Sequence, residues 1–407
     1  MTAALDTAAN TDIATNPYTA DAPPPNRRAI PHCTRTLRIA WLTARPCPLQ
    51  NSLLDAIAAH PGIEVEVLFC NGRTASRTWN WEAVGGRYTA RVLRGLTYRG
   101  YHLNPGVIPS CVRKKYDLFI VTSYAQPTMQ LAMLALTAGG RPWALWAERP
   151  GMNSLSRGRS ILRSLGLLLP SRYADCVIGI GELARQAFEH LSEGRGRVYS
   201  LPYLVRLEPF LCLPPRDRAD RQIRFLFSGQ LIPRKGIDLL CAAAASVLEK
   251  SSAAHLVVAG DGPERERIET LSKRFPGRVT FHGGLPFDQR VRAYAEADVF
   301  AFPSRHDGWG VALQEAMARG LPVIASSEVG AAYDLVEDGV NGFVLKPDDQ
   351  EGLEHAMRVF VDQPGLIEEY GRRARAKAAR LTPEWGAQQL FEILADLQTS
   401  KSAATDD

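Results

Sequence analysis

No apolar run in this sequence approaches the ~18 residues that a membrane-crossing helix needs; the longest candidate, around Leu165–Leu169, is far too short. The first residues lack a basic stretch followed by an apolar one, so no secretory signal is expected. Cysteines are few and scattered: seven in the chain, none in a C-x-x-C pair. That count excludes a disulfide framework, argues against structural zinc and fits a reducing cytoplasm. Acidic residues are scarce in one half only. Residues 1–200 carry 23 Lys and Arg against 13 Asp and Glu, whereas the remaining 207 carry 25 against 30. The basic character therefore belongs to the first half. The G-x-G turn at Gly260-Asp261-Gly262 lacks the third glycine of a dinucleotide fingerprint. A tight strand-to-helix turn with Pro263 at the helix start explains it as well as a nucleotide contact does.

What is present is the composition of a globular protein, 45% hydrophobic and 22% charged, over 407 residues. That length implies two domains of roughly 150–200 residues. From Leu37 onward, short near-continuous apolar strands alternate with helical stretches. The strands are expected at 37–43, 64–70, 117–123, 143–148 and 176–181, then at 223–229, 255–260, 278–283, 298–304 and 322–326. Such strands indicate parallel sheets covered on both faces. A link rich in proline (Pro202, Pro209, Pro214, Pro215) separates the two sets. The expected organisation is a disordered tail over 1–35, Rossmann-like domains over 36–205 and 206–380, and a helix and tail over 381–407. The last helix, from about Pro383, could pack on either domain. Ligands of such sheets sit at the carboxyl ends of the strands.

Four segments at strand ends carry candidate chemistry. In 227–240, a strand ends at Gly229 and a loop presents Arg234 and Lys235 before a helix, a pair able to neutralise a diphosphate. In 257–269, the Gly260–Gly262 turn reads as structural. In 281–298, His282, Gly283 and Gly284 allow backbone to approach a planar ring closely, and His282 reads more readily as a loop residue than as a base. In 303–326, a loop with Asp307 leads into a helix near Gly310, and Glu315 follows eight positions after Asp307. Helix N-termini favour anions, and two carboxylates can bind sugar hydroxyls. Glu315 lies in an otherwise apolar stretch, so it needs a partner if it is not a ligand contact. Hydroxyls plus phosphate describe a nucleotide sugar.

The ordered set Gly229…Arg234-Lys235-Gly236, Gly260-Asp261-Gly262-Pro263-Glu264, Pro303-Ser304-x-x-Asp307-Gly308-x-Gly310 and Glu315-Ala316-x-Ala318-x-Gly320-x-Pro322-Val323-Ile324 resembles glycosyltransferase family 4, the group 1 glycosyltransferases of GT-B fold. The resemblance covers residues 222–350; the first half is similar only in strand pattern. It implies an α/β GT-B fold, two doubly wound Rossmann-like domains whose parallel sheets face an inter-domain cleft. It further implies a donor diphosphate on Arg234 and Lys235, Asp307 near the transferred sugar, and Glu315 on the ribose. Gly229, His282, Gly283, Gly308, Trp309 and Gly310 complete the donor contacts. Retention of anomeric configuration and no metal or other cofactor are implied as well, the nucleotide sugar being the donor substrate.

Three departures from the family stand out. Asp307 replaces the usual glutamate, Gly330-Ala331 stands where two glycines are frequent, and Thr43-Ala44-Arg45-Pro46 lacks the glycine pair expected after the first strand. Where relatives place a histidine after a strand, this chain has Glu148, read here as a catalytic candidate in the cleft or as an ion-pair partner of Arg149. The basic clusters 87–101, 112–116 and 155–173 raise a further partner, an anionic membrane surface, with 155–173 either a cationic amphipathic segment or an ordinary surface helix. No nucleic-acid module is recognisable. The expectation is a cytoplasmic enzyme, peripheral at the inner face of the membrane, that passes a sugar to a glycan or lipid-linked acceptor. An epimerase of the same fold, or a non-catalytic nucleotide-sugar binder, is the alternative.

Overall fold

A computed structural model describes residues 36–72, 86–113, 115–151, 157–194, 196–286 and 289–403. The tail expected over 1–35 lies outside the described residues, as do residues 155 and 156 and the side chains of 157–163 in the basic segment.

The first domain is built on strands β1 (Leu37–Thr43), β2 (Ile63–Phe69) and β3 (Thr89–Val92), a small hairpin of β4 (Leu96–Tyr98) and β5 (Tyr101–Leu103), then β6 (Leu118–Val121), β7 (Trp143–Ala147), β8 (Cys176–Gly179) and β9 (Val198–Ser200). Seven of these form one parallel sheet in the order β3-β2-β1-β6-β7-β8-β9. The second domain uses β10 (Ile223–Ser228), β11 (Ala254–Ala259), β12 (Val279–Gly283), β13 (Val299–Phe302), β14 (Val323–Ser326) and β15 (Gly342–Leu345), all parallel, in the order β12-β11-β10-β13-β14-β15. Central strands such as β6, β7, β11 and β13 are buried along their whole length, so their unbroken apolar character reflects helices on both faces. Each fully buried Val, Ile, Leu or Phe contributes roughly 1.5–3 kcal/mol.

In both sheets the chain reverses direction beside the first strand, between β1 and β6 and between β10 and β13. Crevices open at such points, and these two face each other. The last helix, Pro383–Ala403, resolves the choice left open by composition. It returns to the first domain: Phe391 packs edge-on against His60, with ring centroids 4.5 Å apart, and Asp396 accepts from Tyr199. The sequence reading missed β3, the β4–β5 hairpin, β9 and β15.

Candidate functional site

Between the two sheets lies a cavity of about 1070 Å³ whose walls are the loops at the carboxyl ends of the strands of both domains. The first domain contributes Thr122–Ala125 after β6, Glu148 and Arg149 after β7, and Tyr203. The second contributes Gly229 and Gln230 after β10, Gly260 and Asp261 after β11, Gly284–Pro286 after β12, and His306–Ala312 after β13. Close backbone packing shapes this floor. A Cβ on Gly260 would stand 1.9 Å from the Gly229 carbonyl oxygen, so the ends of β10 and β11 meet only because no side chain intervenes.

The cationic end is made by a short 3₁₀ turn, Pro233–Lys235. Gly236 follows at φ +68°, and a Cβ there would stand 2.1 Å from the Pro303 carbonyl oxygen. That close approach sets the Arg234-Lys235 loop against the loop carrying Asp307. Arg305 braces the same junction by pairing with Asp238 at 2.7 Å and with the Pro233 carbonyl. The Lys235 ammonium is hydrogen-bonded to Asp307, and Arg234 Nη1 lies 3.7 Å from the other Asp307 oxygen. Lys235 is buried, with Nζ 4.7 Å from the centre of the Phe302 ring. Burial pulls its pKa below the usual lysine range, and the Asp307 charge opposes that pull. Beside these groups opens the helix Val311–Arg319, with Gly310 at its N-cap, no side-chain cap and no acid in its first turn. Its unpaired N–H groups and two adjacent cations form one electropositive corner.

Glu148 faces this corner from the opposite domain. Trp146, held by its indole N–H on the Leu201 carbonyl and stacked edge-on with Trp41 and Tyr203, fixes the strand end from which Glu148 projects. Glu148 bonds with the Tyr203 hydroxyl, and its carboxylate packs on the bare Cα of Gly308. Seclusion in the cleft and the nearby Asp307 raise its pKa; Tyr203, Arg234 and Lys235 draw it back. Arg149 does not pair with Glu148. It crosses to the second domain, 2.7 Å from Glu328 and 3.0 Å from His306 Nδ1.

Of the residues singled out from sequence, the cavity brings together Glu148, Gly229, Arg234, Lys235, Asp307, Gly308, Trp309 and Gly310. Three take other places. Glu315 lies behind the wall, fully buried, with Oε1 accepting from Arg290 at 3.0 Å and Oε2 from Tyr294 at 2.8 Å. These are the partners its apolar helix required, and Arg290, not Glu315, reaches the cavity. His282 turns away to pair with Glu296 at 3.1 Å. Gly283 spends its carbonyl on the Gly260 N–H, and its φ of +67° turns Gly284 into the cavity instead. Sequence reasoning did not find Arg290, Tyr203 or His306. Only the unmet charge of Glu315 hinted that a cation lay nearby.

Residues 214–380 match the family model described as glycosyl transferases group 1. Over 280 residues the chain is 29% identical to the GDP-mannose-dependent alpha-(1-6)-phosphatidylinositol monomannoside mannosyltransferase of Mycobacterium tuberculosis, covering 62% of this chain and 68% of that protein. Over 161 residues it is 33% identical to a sulfoquinovosyl transferase of Arabidopsis thaliana, covering 39% of this chain but only 30% of the plant protein. Among solved structures it resembles Anabaena HepE in complex with UDP, with a TM-score of 0.70 at 19% identity, over 88% of this chain and all of that one. The second-domain match, the two facing parallel sheets and the cleft between them agree: residues 214–380 carry the sequence of the group 1 glycosyltransferases, on a two-domain architecture like that of HepE.

Proposed function

We propose that this protein transfers a sugar from a nucleotide diphosphate sugar to a glycan or lipid-linked acceptor, with retention of anomeric configuration and without a metal ion. The observation that carries the reading is the convergence of Arg234, Lys235 and the open N-terminus of the helix Val311–Arg319 on one wall of the interdomain cavity. A diphosphate needs positive charge and N–H donors that do not reorganise as its own charge grows, and this corner supplies both. Two fixed protein cations fill the part that a divalent ion would otherwise play. Asp307, held between them, accepts hydrogen bonds from the sugar. Glu148 approaches from the acceptor's side of the cleft, and its raised pKa suits a carboxyl that shares a proton with a sugar hydroxyl. A relative whose name gives a phosphatidylinositol monomannoside as the molecule it mannosylates supports a lipid-linked acceptor. Such an acceptor places the enzyme peripherally at the cytoplasmic membrane surface; no helix among the described residues is long and apolar enough to cross a membrane.

The test is a thermal-shift and calorimetry panel of nucleoside diphosphates on the wild type, Lys235→Ala and Asp307→Asn. At least one nucleotide should stabilise the wild type. Lys235→Ala should lose about tenfold or more in affinity, as expected when a phosphate-binding charge is removed. Asp307→Asn should bind the diphosphate several-fold more tightly, because the competing anion is gone, while transfer falls by about 100-fold. If no nucleotide stabilises the wild type, or both variants respond as it does, the reading fails. NMR of the product anomer and activity in a chelator check retention and metal independence.

A further inference from the structure

We infer that the β4–β5 hairpin is a membrane-docking element which sets the cavity mouth against an anionic lipid surface. The inference rests on the lipid-linked acceptor proposed above. In this antiparallel pair Leu96 lies opposite Leu103 and Tyr98 opposite Tyr101, while Thr97 lies opposite His102. Side chains alternate along a strand, so the two Leu and two Tyr share one face and Thr97 and His102 the other. The polar face is the inward one. His102 is buried, with Nδ1 2.9 Å from the Thr97 hydroxyl. Its backbone N–H donates to Gln126, and its carbonyl accepts from Thr128. The apolar face is in solvent: Leu96, Tyr98 and Tyr101 are 76, 70 and 58% exposed. A sheet face of this kind ordinarily packs on a core; this one is held by its polar side, and among the described residues nothing covers its apolar side.

Charge identifies the occupant. From Ala83 to Tyr116 the chain holds seven Lys and Arg and no Asp or Glu. Arg94 precedes β4, and Arg99 stands in the turn with its guanidinium 5.3 Å from the centre of the Tyr98 ring. Tyrosines at headgroup depth, leucines below them and arginines reaching back to phosphates make up the composition of an interfacial anchor. A hairpin of three residues per strand is too small to hold a second protein by itself, and its cations lack complementary acids for a second copy of the same face. Position also fits. Gln126, which bonds to both His102 and the Gly100 carbonyl, directly follows Tyr124 and Ala125 of the cavity wall. A bilayer under the hairpin would therefore present lipid headgroups beside the cleft.

Full-length protein is sedimented with phosphatidylcholine vesicles that contain or lack phosphatidylglycerol, and the nucleoside diphosphate thermal shift is recorded on the same samples. The wild type should bind the anionic vesicles, more weakly as salt rises. The variant Leu96→Ser/Tyr98→Ser/Tyr101→Ser/Leu103→Ser should lose binding by about tenfold or more. Arg94→Gln/Arg99→Gln should bind with a shallower salt dependence. Both should keep the nucleotide response, which certifies the fold. Vesicle binding without any nucleotide response would sink the donor site and leave this surface standing. The inference is overturned if the wild type ignores anionic vesicles or if the serine variant binds them as the wild type does. It is equally overturned if the only change in that variant is loss of self-association.

Discussion

Glu148 and Asp307 come from different domains and feel each other's charge across the cleft, with one pair of cations, Arg234 and Lys235, acting on both. Their surroundings differ. Asp307 is bonded directly to Lys235, whereas Glu148 holds only the Tyr203 hydroxyl and is pushed up by the cleft's seclusion and by Asp307 itself. If Glu148 acts as a proton-bearing hydrogen-bond partner, glutamine imitates its working form and alanine does not. Glu148→Gln should then retain kcat/KM within about tenfold of the wild type, and Glu148→Ala should fall by about 100-fold. Steady-state kinetics with nucleotide binding measured alongside decides it. Equal losses in both variants would mean that the ionised carboxylate is needed, and full activity in Glu148→Ala would remove the residue from the reaction.

Glycines in the loops that follow the strands decide where these side chains stand, and two of them separate stability from activity. Gly236 combines a left-handed φ with a carbonyl oxygen where a Cβ would go, so neither backbone nor neighbour can yield cheaply. Gly236→Ala should cost on the order of 3 kcal/mol and lower Tm clearly. At Gly308 the obstacle is the far end of the Glu148 side chain, 2.1 Å from the ideal Cβ, and such a chain can swing aside. Gly308→Ala should therefore melt near the wild type yet lose transfer, because Glu148 is displaced. Thermal melts and rates on the two variants test the contrast; a Gly308→Ala that melts far below the wild type would show that Glu148 cannot move. The same elements show what a sequence can reveal. Buried central strands such as β6 and β13 announce themselves by continuous apolar residues, and the Arg-Lys, Asp-Gly-x-Gly and Glu motifs mark the loops that follow them. β9 has only three residues, β15 opens on a glycine and is half-buried in its middle, and β3 is exposed along its length. The hairpin was read as a basic cluster because its apolar face points the wrong way for a core. The partnership of Glu315 with Arg290 joins residues 25 positions apart through a tertiary contact, which no local spacing encodes.

At the scale of the whole molecule, the cleft is spanned by contacts that hold one domain on the other. Arg149 reaches Glu328 and His306, Gly181 packs on the Trp309 ring that lines the cavity, and Gln186 bonds with Tyr333. The buried carboxylate of Asp334 accepts the backbone N–H of Glu182, at the start of the helix Glu182–Leu191 in the opposite domain. That last contact makes interdomain stability depend on pH. Burial drives the Asp334 pKa up to about 7 from an unperturbed 3.8; the Glu182 N–H and Lys377 oppose the rise and the Glu182 charge adds to it. Between those two values the folded protein binds a proton that the unfolded chain does not. Stability must then fall as pH rises from about 4 to 7 and level off above. Between pH 5.5 and 8 the loss is on the order of 2 kcal/mol. Asparagine keeps an oxygen for the Glu182 N–H and carries no charge at any pH in this range. Asp334→Asn should therefore remove this component: its Tm should decline less than the wild type's over that interval, and the curves should diverge most near neutrality. Parallel Tm curves for the two proteins would mean that Asp334 stays ionised across the interface and that the helix N-terminus of the other domain fully offsets its burial.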